Sequence, residues 1–517
     1  MRKTVIATAA VLVAVVFFLL ATLPPRPSQL VSTGTDPELI RRTIRGAYHV
    51  HTDRSDGAAS KSIVAAAAAR AGLRFLILTD HGDATGIPDP PAYIDGVLCI
   101  DAVEISTSGG HYVALDMPPS PYPLGGAPSA VVEDVTRLGG FGIAAHPDHP
   151  KAELAWTDWD APIAGIEWIN ADAEWRNEGT LQLPRILFAY LLRPAPAIAS
   201  VFDRPEKTLK RWDRLNSTRQ IVALAAVDAH GGAGEEENHG WGGIGPSYDA
   251  SFRTLTSRVM LERPLSGDAA DDARELLEAI RRGSVYSVVD AISPDVALGL
   301  ESGGFAVRSQ LPEGAKAVLI SGGDHARRLE VTAAGAPGDP PVPWVLSNWV
   351  GRSTTPRPVA GEPDGQRAPT RLQAGEWRVE KDERSQGQIV AESGVVTLRY
   401  ELGQAPRQSQ FVAASTDLAE KSPFSGIVFR GRAASPMRVS VQLRFPPDDL
   451  RWVASVYLEP DERDLFVPVD SMQPAERTGG RMPPSESARS LLFVVDLVNA
   501  RPSDAGHLVV SDLRVIR

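Results

Sequence analysis

The chemistry of this sequence is concentrated in its histidines. The chain has ten, and eight of them lie between residues 49 and 239, with only His325 and His507 elsewhere. His49-Val50-His51 sets two imidazoles two residues apart, a spacing that on a strand points both to one face and lets both reach one ion. Asp228-Ala229-His230 repeats the spacing. Asp80-His81, Glu104, Gly110-His111 and Ala145-His146-Pro147 add further donors, each at the end or start of an apolar run. A mixture of imidazole and carboxylate suits zinc, manganese or iron, and a carboxylate such as Glu104 can bridge two ions. Two ions about 3.5–4 Å apart can clamp the attacking and leaving oxygens of a displacement and lower the pKa of a bound water. The expected nucleophile is therefore a metal-bound water, with no protein acid or base assigned. His149 and His239 stand outside the pattern. The first reads as a neighbour of the site or a surface residue. The second falls in an acidic glycine-rich loop, residues 231–243, that reads as a lid, with Glu235, Glu236 and Glu237 as its solvated turn.

The elements that must position these groups alternate between short apolar runs and helical stretches. Strands are expected over residues 45–51, 74–79, 98–105, 111–115, 141–145, 165–170 and 221–227. Helices are expected over 58–71, 131–138, 183–192, 206–215 and 271–282. Strands alternating with helices imply an α/β fold with a largely parallel sheet, whose polar residues gather at the strand ends. This first domain is expected over residues 43–290. Beyond residue 293 the helical period disappears. Residues 293–350 read as a small all-β module, and 351–371, with Pro356, Pro358, Pro363 and Pro369, as a linker. Residues 372–517 carry about seven alternating segments and read as a β-sandwich.

Taken together, the segments from His49 to Gly57, Leu78 to His81, Glu104 with Gly110-His111, Ala145 to Pro147, and Asp228 to His230 resemble, in order and spacing, the motifs of the PHP (polymerase and histidinol phosphatase) family of metallohydrolases. The resemblance covers residues 46–231. It implies a distorted (β/α)7 barrel of PHP type and a site for two or three divalent metal ions. Its implied ligands are His49, His51, Asp56, His81, Glu104, His111, His146, Asp228 and His230, with Asp80 supporting them from behind. The stretch Pro343 to Asn348 is similar to the segment that follows the PHP domain in the carbaryl-hydrolase-like branch, and the C-terminal sandwich resembles carbohydrate-binding modules.

Composition bounds the function. A net charge of -11 with no long Lys/Arg cluster argues against a nucleic-acid partner. Arg2 and Lys3 precede an uncharged run over residues 4–23, long enough to span a bilayer. That order predicts a signal anchor, or a cleaved signal peptide, within residues 1–27, and an extracytoplasmic, membrane-attached or secreted protein. The lone Cys99 reads as a buried strand thiol. The favoured activity is a phosphoesterase acting on a small phosphate ester, with Lys151 and Arg204 as candidate cations for the substrate. One alternative is a carbamate, amide or ester hydrolase with a pocket lined by Trp156, Trp159, Trp168 and Trp175. Another is a non-enzymatic surface-tethered protein that binds carbohydrate through the exposed Trp and Tyr of its sandwich.

Overall fold

The computed structural model describes the chain except Met1 and residues 31–36, 178, 180–181, 233–244, 302–303, 312, 323–325, 333–341, 351–368, 405–408, 420–421 and 476–481. His239, His325, the Glu235 to Glu237 turn and most of the expected linker lie outside the described residues. Two compact units emerge. One comprises residues 1–82, 88–118 and 135–357; the other comprises 83–87, 119–134 and 358–517.

The first unit is built on the strands β1 (Thr43–Val50), β2 (Phe75–Leu78), β3 (Ala92–Ile94), β4 (Val97–Asp101), β5 (Val103–Thr107), β6 (Gly110–Leu115), β7 (Phe141–Ala144), β8 (Gly165–Asn170), β9 (Val222–Ala226), β10 (Thr256–Met260) and β11 (Val285–Val288). Strands β2, β7 and β9 are apolar and buried along their whole length, the pattern of strands covered on both faces. β5 to β9 form one sheet in chain order, parallel from β7 to β9 and antiparallel from β5 to β7. β1, β2 and β4 run parallel in the second sheet, with β10 and β11 antiparallel beyond β1. The long strand expected over 98–105 is broken at Ala102, and its halves β4 and β5 serve different sheets. Two sets of backbone hydrogen bonds join the sheets. Val227 N–H donates to Tyr48 O at 3.1 Å and His51 N–H to Ala229 O at 3.0 Å; Gly82 N–H donates to Glu104 O at 3.1 Å and Glu104 N–H to Asp80 O at 3.2 Å.

Among the described residues the α-helices are α1 (Arg2–Ala21), α2 (Pro37–Arg42), α3 (Lys61–Arg70), α4 (Pro128–Arg137), α5 (Ala171–Arg176), α6 (Leu183–Leu192), α7 (Pro194–Ala199), α8 (Glu206–Asn216), α9 (Tyr248–Phe252) and α10 (Ala269–Arg281). α10 shows why such segments are helical. Asp268 caps it by accepting from Asp271 N–H, and Ala273, Leu276, Leu277 and Ile280 recur at helical spacing on the face that enters the core beside Val259 and Val285. The apolar N-terminal run is helical, as α1. Among the described residues, however, no helix is long and apolar enough to cross a membrane, and the anchor reading gains no support from the structure.

The expected small β module is not set apart as a sheet of its own. Residues 293–350 supply β12 (Leu298–Glu301), β13 (Gly304–Val307), β14 (Lys316–Ser321), β15 (Arg327–Thr332) and β16 (Pro343–Ser347). β12 and β13 form a hairpin, but β14 to β16 extend the nine-stranded sheet through β11. Sequence showed the alternation and not the partner: β16 is buried throughout because it pairs with both β11 and β15.

The second unit holds two six-stranded sheets. One contains the strands Gln386–Glu392, Val395–Glu401, Ala505–Ile516, Gly426–Ala433 and Arg463–Pro468, with Thr370–Arg371 pairing the Ala505–Ile516 strand; the other contains Ala374–Lys381, Phe411–Leu418, Ser490–Asp496, Met437–Phe445, Leu450–Leu458 and Gln473–Pro474. Along Met437–Phe445, Met437, Val439, Val441, Leu443 and Phe445 enter the core while Arg438, Ser440, Gln442 and Arg444 alternate with them. Trp377, Trp452 and Tyr400 pack against this core. All three are half-buried, with part of each ring against the core and part exposed.

Candidate metal centre

His49, the last residue but one of β1, has a conformation that strands do not use. Its φ is +66°, and the pairing with β2 shifts register between Tyr48 and Val50. His146, after β7, has φ +28°, and Asp228, after β9, has φ +47°. Left-handed backbone at a non-glycine residue is costly and persists where the surroundings dictate it, characteristically at functional sites. Of the five described non-glycine residues so held in this unit, His49, His146 and Asp228 belong to one cluster, and Asp95 and Asp116 lie outside it. The two-residue spacing does bring His49 and His51 together, with ring centroids 5.1 Å apart, through a bulged strand rather than a regular one.

Glu104 is the hub of that cluster. It is 1% exposed and touches five imidazoles. Its Oε1 lies 2.8 Å from His111 Nδ1 and 2.9 Å from His146 Nε2; its Oε2 lies 3.2 Å from His49 Nε2, 3.3 Å from His51 Nε2 and 3.2 Å from His81 Nδ1. Asp228 Oδ1 faces His49 Nε2 at 3.4 Å and His51 Nε2 at 3.2 Å. Asp56 Oδ2 faces His230 Nε2 at 3.4 Å and His81 Nε2 at 3.6 Å. All nine side chains that the PHP resemblance implies are thus gathered in one place. Four overlapping groups could each hold an ion: His51, Asp56, His81 and His230; His49, His51 and Glu104; His49, His146 and Asp228; His81, Glu104 and His111.

Two observations test whether divalent ions suit these residues. His49 Nε2, His51 Nε2, His146 Nδ1 and Asp228 Oδ1 are buried and have no hydrogen-bond partner. A buried polar atom without a partner is costly, and an ion held by these residues would satisfy such atoms. The electrostatics agree. Burial alone would push His49 and His51 towards the neutral form, yet Asp228 and Glu104 hold both above the ordinary imidazole range. Burial would raise Glu104 and Asp228, yet the imidazoles hold both well below the carboxylate range. The carboxylates thus favour positive charge beside them, whether as protons on the imidazoles or as bound cations.

Neighbouring residues fix the donors. Asp80 accepts from Thr52 N–H and Ser55 Oγ–H through Oδ1 and from Thr52 Oγ1–H through Oδ2, each at 2.7 Å, and so shapes the loop that presents Asp56. In that loop a Cβ on Gly57 would stand 2.6 Å from the His51 carbonyl, so only glycine fits. Glu167, fully buried in β8, was not anticipated. Its Oε1 accepts from His49 Nδ1 at 2.6 Å, and its Oε2 accepts from His146 N–H at 2.7 Å and Asn170 Nδ2 at 2.9 Å. Asn170 also donates to Asp228 Oδ2 at 3.0 Å and caps α5 through Ala173 N–H. A carboxylate on the far nitrogen of a ligand imidazole fixes its tautomer and direction. Glu167→Gln should therefore weaken metal binding about 10- to 100-fold; titration of the metal-free protein with zinc or manganese, read calorimetrically, measures this directly.

The cluster is closed on one side and open on the other. His49, Glu104, Asp228 and His146 are buried, whereas the side chains of Asp56, His81 and His230 are 48%, 34% and 16% exposed. A recess on the open side is lined by Asp56, Asp172, Arg176, Asp228, His230 and Ser251.

Other expectations fare differently. Arg204 does not face the cluster; it pairs with Glu206 at 2.7 Å and with Glu330 at 2.9 Å. Lys151 is exposed and does not line the recess; its backbone N–H donates to His149 Nδ1 at 3.0 Å. His149 is buried against His146, and burial and that neighbour push it down to about 4. Trp156 and Trp168 are buried, with indole N–H groups bonded to Asp158 O and Ser287 Oγ; Trp159 lies under Arg211, and Trp175 packs edge-on to Tyr190. None of the four lines the recess. Cys99 is a buried free thiol, raised to about 11 by burial.

No family model and no curated protein matches the chain. Among solved structures, the chain is similar to a protein from Bifidobacterium adolescentis provisionally named a metal-dependent phosphoesterase, at 13% identity over 45% of this chain and 96% of that one, with a TM-score of 0.27. It is also similar to a family 11 carbohydrate-binding module from Clostridium thermocellum, solved with a mixed-linked tetrasaccharide, at 14% identity over 27% of this chain and 88% of that one, with a TM-score of 0.22. Likenesses this faint carry no argument, and the site stands on its own geometry.

Proposed function

We propose that this protein is a metal-dependent hydrolase, and specifically a phosphoesterase, built on a distorted (β/α)7 barrel of PHP type. The observation that carries the reading is the convergence of nine imidazole and carboxylate side chains, four of which carry a buried polar atom that lacks a hydrogen-bond partner. The backbone bonds from β1 to β9 and from β2 to β5 support the barrel.

Two or three divalent ions held there would supply an activated water and neutralise charge developing on an ester phosphate. The chain does the rest. Glu104 would help to hold more than one ion, because its two oxygens face different imidazoles. Glu167 holds His49, and Asp80 holds the loop bearing Asp56. Asp56, His81 and His230, being the exposed members, mark the side from which substrate enters. No residue is assigned as general acid. A carbamate or ester substrate finds less support, since the four tryptophans that would have lined an apolar pocket are engaged elsewhere. A place outside the cytoplasm rests on the order of basic and apolar residues at the N-terminus alone.

The test uses the purified protein supplied with zinc, manganese or iron and assayed on p-nitrophenyl phosphate, bis-p-nitrophenyl phosphate and an aryl carbamate, beside His51→Ala. Phosphate-ester turnover should appear, vanish on chelation, return with metal and be absent from His51→Ala. Carbamate turnover alone would overturn the phosphoesterase reading and keep the hydrolase. Turnover of nothing, with no metal retained, would overturn both.

A further inference from the structure

The recess beside the cluster is acidic on three counts, from Asp56, Asp172 and Asp228, and has one counter-charge. Among the described residues that line it, Arg176 is the one lysine or arginine. Sequence gave no reason to choose this arginine over the others, since it is the last residue of a short helix in an otherwise unremarkable stretch. Its position follows from the cluster. α5 begins where Asn170, itself bonded to Glu167 and Asp228, accepts from Ala173 N–H. Arg176 lies at the end of that helix, and one turn back Asp172 accepts its Nε–H. The side chain of Asp172 is 11% exposed and that of Arg176 is 49% exposed.

This pairing orients the guanidinium. With Nε–H directed to Asp172, the outer edge formed by the two Nη groups remains as a planar fork. Such a fork matches two oxygens of a phosphate, and a lysine in its place would act only as a point charge. Burial pulls the guanidinium pKa down, but Asp172, Asp228 and Asp56 more than offset it.

We propose that Arg176 is the residue that recognises the substrate's phosphoryl group, and that the substrate is a phosphate monoester. The proposal rests on the phosphoesterase reading and deepens it. A monoester presents three unesterified oxygens, enough to meet both the exposed side of the cluster and a two-pronged guanidinium. A diester has one oxygen fewer to offer and carries a second substituent where the fork would stand. Arg176 is a specificity residue here. A guanidinium has donors only and cannot ligate a metal ion, so its removal should leave the ligand set complete and metal content unchanged.

The experiment compares the metal-loaded wild type with Arg176→Met and Arg176→Lys. For Arg176→Met, KM for p-nitrophenyl phosphate and the inhibition constant of inorganic phosphate should both rise roughly 10- to 100-fold, the scale of lost charge-assisted hydrogen bonds. Turnover of bis-p-nitrophenyl phosphate should change little, so the monoester preference collapses. Arg176→Lys should recover part of the phosphate affinity. Metal content and melting temperature should match the wild type. If both variants keep wild-type KM and phosphate inhibition while the wild type hydrolyses the monoester, the assignment of Arg176 is wrong and the phosphoesterase reading stands. If the wild type hydrolyses diesters only, the monoester class is overturned. If it hydrolyses no phosphate ester and binds no inorganic phosphate, the functional reading fails first, and this inference with it.

Discussion

Glu104→Gln should lose bound divalent metal and lower kcat by about 10^3-fold or more on any substrate the protein hydrolyses. The size follows from what the carboxylate does. Each of its oxygens faces a different set of imidazoles, two at Oε1 and three at Oε2, so a single substitution alters two of the four groups that could hold an ion. Glutamine keeps the shape, but it is neutral and can accept at only one of the two positions. Ions in this setting supply several kcal/mol of transition-state stabilisation, and each 1.4 kcal/mol lost is about tenfold in rate. Elemental analysis of the dialysed protein beside the rate measurement separates the two effects. Full activity with less than one ion per chain would refute the role given to Glu104. Comparison with Glu167→Gln is informative: that residue orients one imidazole and one backbone N–H, so its loss should weaken metal binding and leave residual turnover at saturating metal.

The candidate ligand set was legible because a metal site of this kind would need a particular chemistry at particular places. Imidazole and carboxylate residues at the ends of apolar runs, twice at a spacing of two, have few other reasons to occur together, and the structure gathers all nine. The residues that hold them were not legible, for a physical reason. Glu167 sits inside an apolar strand, Gly165–Asn170, where a lone carboxylate carries no periodic signal; its meaning comes from His49, 118 residues away. Arg176 and Arg204 look alike in sequence. Only the fold puts one at the recess and the other against Glu330, on a strand beyond the expected domain boundary. That boundary shows the same limit. Alternation identified β14 to β16 as strands, but the edge they join is settled by long-range pairing. So too with residues 119–134, which sequence assigns to the first domain as part of the run between β6 and β7, whereas they cluster with the sandwich.

One buried side chain contributes to that last grouping, and Arg438→Met should destabilise the second unit by about 3–5 kcal/mol, the cost of leaving a buried charge without its partner. Arg438 projects from the Met437–Phe445 strand with its side chain fully buried. Its Nε and Nη2 donate to the two oxygens of Asp134 at 2.7 and 2.8 Å, and Nη2 also donates to Glu133 at 2.7 Å. Asp134, 1% exposed, further accepts from Tyr122 Oη–H at 3.0 Å. The pair therefore fastens residues 122–134 to a strand three hundred residues later in the chain, helped by Asn499 Nδ2, which donates to Pro123 O at 3.0 Å. Methionine would fill much of the space but strand the Asp134 carboxylate, so the double substitution Arg438→Met with Asp134→Leu should recover most of the loss. Thermal unfolding of the wild type, the single and the double variants tests this. Equal melting temperatures for wild type and Arg438→Met would show the pair to be idle. Rescue by the double variant would mean that this face of the sandwich serves to hold its own chain, a role that requires no carbohydrate.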